Sequence, residues 1–300
     1  GKGININSNI ILGTENIKGN ILTSIPDFNN TDNVLLYDLF ATSTDFENAG
    51  YESSVVGNSL AIKYDLYEDI TFKPGIGIDL DSIDTNSTAS NLYRNREGDY
   101  FTFQTFYNLE TDKRDKRFQT TKGYRVNFGQ NLALPGSDIP YIENNISGTF
   151  YHPINEDYIL SLKSGLSSIN ALNNKDVKLS DRKFLSSRNL RGFENYGVGP
   201  KEGNDHIGGN YFAYSSIAST IPNPLPDKWN ANSIVFLDAG NVWGVDYDSS
   251  KDSDKIRSSA GLGLDWISPL GPLSFVFAQT LSSAVGDLEE SFSFQIGSSF

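Results

Sequence analysis

An alternation of apolar and polar residues with a period of two runs through most of this chain. Between residues 256 and 266, apolar or small residues occupy every second position, while Arg257 and Asp265 belong to the intervening series. Alternation over this length is typical of a β-strand with one apolar face and one wet face. We therefore expect the two series to face opposite sides of a sheet. The apolar series, predicted to face outward, contains Leu262, Leu264 and Trp266.

About fourteen such stretches, each of about 9–14 residues, follow one another along the chain. Turn-forming sequences such as Pro135-Gly136-Ser137-Asp138 separate them. Strands of soluble sandwiches are shorter, about 5–6 residues, whereas tilted transmembrane strands have about 9–11. The pattern therefore favours an all-β fold, a transmembrane antiparallel β-barrel, over a soluble sandwich or barrel. The predicted strands centre near Ile6, Ile21, Tyr37, Ile62, Ile76, Phe103, Phe128, Ile146, Leu162, Tyr214, Phe236, Leu262, Phe275 and Phe294.

The composition supports a membrane barrel and argues against nucleic acid as a partner. Only 38% of the 300 residues are hydrophobic, yet 12% are aromatic. A membrane barrel fits both values, because it alternates its apolar residues with polar ones and carries aromatic girdles. The formal net charge of −13 argues against nucleic acid as a partner. The chain has no cysteine, so it forms no disulfide and no thiol metal site.

The residues that most often carry chemistry show no catalytic arrangement. His152 and His206 are the two histidines, and neither has the spacing of a metal ligand. No nucleophile, base and orienting group occur together in the sequence. The acidic stretch 246–254 either binds a divalent cation weakly or forms a solvated loop, and the solvated loop is favoured. We expect no enzymatic activity, no metal and no cofactor.

The longest segment without a strand pattern, here called the long loop, runs roughly from Ser168 to Ile207. It carries Leu190-Arg191-Gly192-Phe193, and loops of this length are usually functional or disordered. Asp238 interrupts a predicted strand and should face the lumen, since lipid penalises a charge. We predict that the long loop folds into the barrel, where Arg191 pairs with Asp238; the alternative is that each is solvated separately. Phe193 would then pack on the inner wall, and Gly192 would allow a close backbone approach.

Four blocks in the last third of the chain resemble the BamA family of outer-membrane barrel-assembly insertases. Their order and spacing agree with that family from Arg188 to Phe300, while residues 1–187 agree as a strand pattern. The blocks are Leu190-Arg191-Gly192-Phe193 with Gly199-Pro200-Lys201 and Gly208-Gly209-Asn210, then Phe236-Leu237-Asp238-Ala239-Gly240-Asn241-Val242-Trp243, Asp265-Trp266-Ile267-Ser268-Pro269-Leu270-Gly271-Pro272-Leu273, and Phe294-Gln295-Ile296-Gly297-Ser298-Ser299-Phe300.

The resemblance implies that residues 1–300 form a single, truncated outer-membrane β-barrel domain. The family barrel has sixteen strands preceded by periplasmic POTRA repeats, so about fourteen strands imply that two strands and the repeats are absent. We then expect either a gap or an adventitious pairing between Gly1–Thr14 and Ser291–Phe300. The family also carries a glutamate that helps to hold the loop arginine. The matching position here is Ala218, which leaves Asp238 as the main partner.

The function implied by the resemblance is the folding and insertion of β-barrel proteins into the bacterial outer membrane through a lateral seam. One side of this seam is the C-terminal strand with Phe294, Gln295, Ile296, Gly297 and Phe300. The implied partners are the bilayer, nascent barrel proteins and accessory assembly lipoproteins. A TamA-type or two-partner-secretion translocation pore is the alternative, and a passive porin is less favoured.

Overall fold

The structure is a computed structural model that describes residues 3–13, 15–86, 89, 91–117, 119–222, 231–268 and 271–296. Fourteen strands form one antiparallel sheet in which strands adjacent in the sheet follow one another along the chain. Each of the fourteen predicted centres lies inside one of these strands, so the predicted meander is confirmed. The strands are β1 Asn5–Leu12, β2 Asn16–Ile25, β3 Val34–Phe46, β4 Tyr51–Tyr67, β5 Ile70–Thr85, β6 Gly98–Asp112, β7 Gly123–Ala133, β8 Tyr141–Pro153, β9 Ile159–Ala171, β12 Tyr211–Ile221, β13 Ala231–Trp243, β14 Arg257–Ser268, β15 Gly271–Ser282 and β16 Phe292–Ile296.

Helical structure in the described residues is limited to single turns. The helix α1 spans Asn91–Arg94, and short 3-10 turns occupy Phe28–Asn30, Glu47–Ala49, Leu179–Asp181 and Ser249–Lys251. Among the residues described, no helix has the length and apolar character needed to cross a membrane.

The two faces of the strands are divided as the alternation predicts. On β14, Leu262 is 54% exposed, whereas Asp265 and Arg257 are 9% and 1% exposed. Arg257 is paired inside the barrel, with its Nε 2.9 Å from Oδ2 of Asp287. The apolar face therefore points outward and the charged face points to the lumen, which excludes a closed core between two packed sheets.

The connections divide the barrel into a loop end and a turn end. The loop end carries the long loop together with the connections β3–β4, β5–β6, β13–β14 and β15–β16, and the turn end carries β2–β3, β4–β5, β6–β7 and β8–β9. In bacterial outer-membrane barrels the longer loops are extracellular and the short turns are periplasmic. The turn end is thus the periplasmic side.

The long loop occupies residues 172–210, because β9 continues to Ala171 and β12 begins at Tyr211. The predicted start at Ser168 was too early, since Ser168 is still paired with Asn144 of β8. Inside the loop, β10 Lys201–Glu202 and β11 Asp205–His206 form a two-residue ribbon. The loop enters the lumen at the loop end and contacts opposite parts of the wall.

Three apolar clusters of the described residues join the long loop to the wall. The first, which is formed with β4 and β5, is the largest of the three. Leu179 and Ile207 of the loop pack with Tyr51 of β4 and Ile83 of β5. This contact accounts for the length of β4 and β5, which have 17 and 16 residues instead of the predicted 9–14. Their extra residues reach beyond the membrane-facing part and bury the loop.

The first and last strands are not joined. In the described part of the chain, β1 pairs with β2 alone and β16 with β15 alone, which is the first of the two predicted outcomes. Every residue of β1 is exposed. An unpaired strand edge exposes backbone N–H and C=O groups that another strand is able to bind.

Candidate functional site in the lumen

The centre of the candidate site is a fork of hydrogen bonds between Arg191 of the long loop and Asp238 of β13. The Nε atom of Arg191 lies 2.7 Å from Oδ2 of Asp238, and its Nη2 atom lies 2.7 Å from Oδ1. The backbone N–H of Arg191 donates a third bond to Oδ2 at 3.1 Å. The contact predicted from the sequence is therefore present. The side chain of Asp238 is fully buried, so its charge depends on this guanidinium for compensation.

Two further groups that the sequence reasoning missed complete the surroundings of Arg191. Its guanidinium lies over the ring of Phe236, 3.5 Å from the centroid, and its Nη2 atom donates to the hydroxyl of Ser216 at 2.8 Å. A cation held against an aromatic face and a carboxylate is stabilised by both. Phe236 was detectable, because it precedes Asp238 by two residues and so shares its face.

The position expected to replace the family's glutamate holds no ligand for Arg191. Ala218 packs with Phe236, Val276 and Ala278 on the inner wall. Ser216, two residues earlier on the same face of β12, supplies the contact from this strand. A neutral hydroxyl thus stands where a second carboxylate would give the site an additional negative charge.

Gly192 brings the backbone of the long loop against β14 and β15. Its φ is +90°, and a Cβ atom there would lie 3.1 Å from Cβ of Ser259 and 3.2 Å from Cβ of Ala278. The carbonyl groups of Arg191 and Gly192 accept hydrogen bonds from the hydroxyls of Ser259 and Thr280. The expected close approach at Gly192 is therefore observed.

The neighbours of this glycine are buried apolar residues. Leu190 and Phe193, each 1% exposed, form a cluster with Leu185, Val198 and Val242 of β13. The predicted packing of Phe193 on the inner wall is thus observed. The motif combines a buried apolar pair with one buried charged contact.

A second ionic contact, far from the first, holds the beginning of the long loop. Nζ of Lys178 lies 2.8 Å from Oδ2 of Asp81 on β5 and 3.5 Å from Oδ2 of Asp181. Burial by itself would lower the pKa of Lys178, but the two carboxylates outweigh it and raise the pKa above its ordinary value. Lys178 is therefore charged inside the barrel. This pair could not be predicted from the sequence, because its members are far apart in the chain and belong to no motif.

Carboxylates of the acidic stretch 246–254 accept hydrogen bonds from other residues of the chain. Oδ1 of Asp246 is 2.6 Å from Nη2 of Arg182, and its Oδ2 accepts from the backbone N–H of Val177. Asp248 and Asp252 accept backbone N–H groups of their own loop. This agrees with the favoured interpretation as a loop, with Asp246 holding the long loop.

Residues 192–197 of the long loop contact both flanks of the unpaired edges. On the side of β16, the N–H of Glu194 donates to O of Leu288 and the N–H of Glu290 donates to O of Gly192, each at 3.0 Å. On the side of β1, Nδ2 of Asn195 donates to Oε2 of Glu15 at 3.1 Å. The long loop thus joins the two flanks at the loop end.

Carboxylates accumulate at this junction. Burial raises the pKa of Glu15, and the nearby carboxylates of Glu47, Asp45 and Glu194 add to the effect. Burial, followed by the charges of Glu194 and Glu15, also raises the pKa of Glu290. The junction therefore disfavours the charged forms of Glu15 and Glu290 relative to solvent.

The C-terminal strand meets the long loop on its inner face. The amide oxygen of Gln295 accepts from Nε of Arg188 at 3.0 Å. Phe294 is 46% exposed on the outer face and lies 5.0 Å from the ring of Phe275, while Ile296 pairs with Leu273. Gly297 and Phe300, also predicted to belong to this strand, lie outside the described residues.

The chain thus has the features of an outer-membrane β-barrel with an internal loop. An arginine of the loop and an aspartate of a strand hold the loop inside the barrel. The family description "Omp85 superfamily domain" matches residues 1–300, and the chain belongs to this superfamily. It is a bacterial outer-membrane β-barrel.

Among relatives, the chain is similar to the outer membrane protein assembly factor BamA of Neorickettsia risticii, with 31% identity over 259 residues. This alignment covers 84% of the chain and 35% of the relative. The SAM50-like protein of Schizosaccharomyces pombe is 30% identical over 216 residues, which are 67% of the chain and 45% of that protein. The chain thus spans less than half the length of these relatives.

Among solved structures, BamA from Haemophilus ducreyi lacking POTRA domains 1–3 superimposes with a TM-score of 0.89 and 25% identity. The match covers 98% of the chain and 64% of that structure. CdiB from Acinetobacter baumannii matches with a TM-score of 0.53 and 12% identity, which shows a shared fold alone.

Proposed function

We propose that this barrel is the membrane domain of an assembly factor that folds β-barrel proteins and inserts them into the bacterial outer membrane. The observation that carries the proposal is the long loop fixed in the lumen by Arg191 on Asp238, within a barrel that superimposes on BamA with a TM-score of 0.89. The role requires no cofactor and no catalytic residue, because strand pairing itself supplies the driving force.

The proposed mechanism starts from the edge of β16. Lipid provides no hydrogen bonds for the backbone, so an unpaired strand in the bilayer costs several kcal/mol for each unsatisfied group. A client strand that pairs with β16 satisfies its own backbone and that of the edge at the same time. The client is thereby built strand by strand without exposing its backbone to lipid.

The long loop contributes by keeping the seam in register. It contacts β13, β14 and β15 from inside and the β15–β16 connection at the loop end. This rigid support from inside the lumen holds the edge of β16 in place while the strand paired with that edge is exchanged. Nascent barrel proteins and the bilayer are the proposed partners, and accessory assembly lipoproteins are proposed to act on the full-length protein.

A translocation pore and a passive porin are the competing functions. Both require an open path through the lumen, whereas the long loop fills the loop end with buried residues of its three apolar clusters. The match to CdiB, at 12% identity, supports the fold alone. Assembly is therefore the favoured function.

A reconstitution experiment tests the proposal. The full-length protein is placed in liposomes, and the folding of a urea-unfolded small barrel protein is followed by its altered migration on unheated gels. We expect faster folding than with empty liposomes, and a loss of this acceleration for Arg191→Ala. The variant Lys255→Gln, at an exposed site on the loop end, is the control. Equal rates with and without the protein would contradict the proposed function.

A further inference from the structure

A cavity of about 910 Å³ lies in the lumen between the long loop and the turn end. Its lining includes residues of the β6–β7 and β8–β9 connections and the inner faces of strands from β7 to β16. The long loop closes it on one side through Arg188 and Arg191. The cavity is therefore reached from the periplasmic end.

The lining of this cavity is basic, although the whole chain carries a net charge of −13. Among the described residues, seven lysine and arginine side chains line it against the carboxylates of Glu156, Asp157 and Asp265. Four of these cations come from three separate elements: Lys116 and Arg117 of the β6–β7 connection, Lys163 of β9, and Arg188 of the long loop. With seven cations against three carboxylates, the lining has an excess of positive charge, which attracts anions.

The partners of these cations distinguish them from structural ones. Arg114 and Arg125 are paired, with Asp112 and Glu110 respectively. For Lys116, Arg117, Lys163 and Arg188, by contrast, the described part of the chain offers no ion pair. Lys163 faces the ring of Tyr214 at 5.7 Å, and Arg188 meets the neutral amide of Gln295. Lys163 is half-buried, whereas Lys116, Arg117 and Arg188 are exposed to the solvent of the cavity. Cations that have no carboxylate partner are available for charge-assisted hydrogen bonds to an anionic ligand.

Three other turns at this end, β2–β3, β4–β5 and β8–β9, are acidic, which distinguishes the basic β6–β7 connection from them. The β4–β5 turn has Glu68 and Asp69, and the β8–β9 turn has Glu156 and Asp157. An anion approaching this end is attracted to the β6–β7 connection on one side of the cavity and repelled by Glu156 and Asp157 on another side. It therefore reaches the cavity along the β6–β7 connection.

We propose that this cavity binds acidic, extended segments of polypeptide that arrive from the periplasm. Lys163 faces the lumen from β9, so a ligand that reaches it must enter the lumen. Because Arg188 also touches Gln295 of β16, a segment held here lies beside the seam. The inference rests on the proposed function for the identity of the ligand as a segment of a client protein.

Peptide binding to the full-length protein in neutral-detergent micelles tests this inference without any assembly step. The probe is a fluorescent peptide of about twelve residues rich in Asp and Glu, and its counterpart has Asn and Gln at the same positions. The test variant is Lys116→Gln/Arg117→Gln/Arg188→Gln. The charge-matched control is Lys175→Gln/Lys251→Gln/Lys255→Gln, whose sites lie at the loop end.

We expect the acidic peptide to bind more tightly than its neutral counterpart, and its Kd to rise at least about tenfold in the test variant but not in the control. Added salt should weaken the binding. Equal binding of both peptides, or equal losses in both variants, would overturn the proposal. Binding of anionic lipid at these residues, together with no binding of the acidic peptide, would also overturn it. Because client folding in liposomes is measured separately, failure of this inference is distinguishable from failure of the proposed function.

Discussion

The guanidinium group of Arg191 combines a two-pronged bond to Asp238, a hydroxyl contact with Ser216 and an aromatic face from Phe236. A lysine ammonium group cannot make all of these contacts, because it is a compact charge without the planar fork of donors. The contact links residues 47 positions apart. It therefore determines where the tip of the long loop lies.

Removing the guanidinium should destabilise the barrel strongly. Arg191→Ala leaves the fully buried Asp238 charge without compensation, at a cost of about 2–5 kcal/mol. Urea unfolding of the protein in detergent micelles measures this cost. The double variant Arg191→Ala/Asp238→Asn should be less destabilised than the sum of the two single variants, whereas additive effects would contradict a direct pair.

Gly192 tests the close approach of the loop to the wall. Gly192→Ala forces a Cβ atom to 3.1 Å from Ser259 at a φ of +90°, and we expect a loss of about 1–3 kcal/mol. Gly203→Ala is the matched control, since Gly203 also has a positive φ but nothing within 4 Å of its Cβ position. Urea unfolding should show a larger loss at Gly192, and equal losses would mean that backbone strain alone is responsible.

At the scale of elements, the long loop is held at separated places on the wall. Lys178 contacts β5, Arg191 contacts β13, and residues 192–197 contact the connections that flank the unpaired edges. A loop held in this way moves only when several contacts are lost together. We therefore infer that it acts as a rigid support.

The contact of Lys178 should matter for the loop and not for the strands. Lys178→Met leaves Asp81, whose side chain is 1% exposed, without its cation. We expect a loss of about 3 kcal/mol or more and faster protease cleavage within residues 172–210. Lys255→Met, at an exposed site of the β13–β14 connection, should change neither quantity. Unchanged cleavage of the Lys178 variant would contradict the role of this contact.

The junction of the long loop with the two flanks should depend on pH. Because the pKa values of Glu15 and Glu290 are raised in the folded protein, their contribution is greatest below the ordinary carboxyl value. It is lost as the pH rises through the raised values. Glu15→Gln/Glu290→Gln should therefore raise the Tm by about 1–4 °C at pH 7.5 and leave it unchanged near pH 4. The exposed neighbour Glu289→Gln is the control, and an equal shift at both pH values would contradict this explanation.

At the scale of the whole molecule, the period of two was sufficient to predict the strands and their faces. It applies to every strand because one face meets lipid and the other meets the lumen, as Leu262 and Asp265 illustrate. The pair Arg191 and Asp238 was predictable from the cost of a charge facing lipid. The pairs Lys178 with Asp81 and Arg182 with Asp246 were not, because they depend on the path of the long loop and no periodic pattern encodes that path.

A client strand is proposed to pair with the edge of β16. Because the chain contains no cysteine, a single one introduced as Ser293→Cys on β16 reports contact with a cysteine in the last strand of a stalled client. Ser59→Cys on β4 is the control, since β4 is paired on both sides and Ser59 does not line the cavity. We expect a disulfide-linked product in the full-length protein with Ser293→Cys and none with Ser59→Cys. Equal cross-linking at the two positions, or none at Ser293→Cys while the client is assembled, would rule out pairing at this edge.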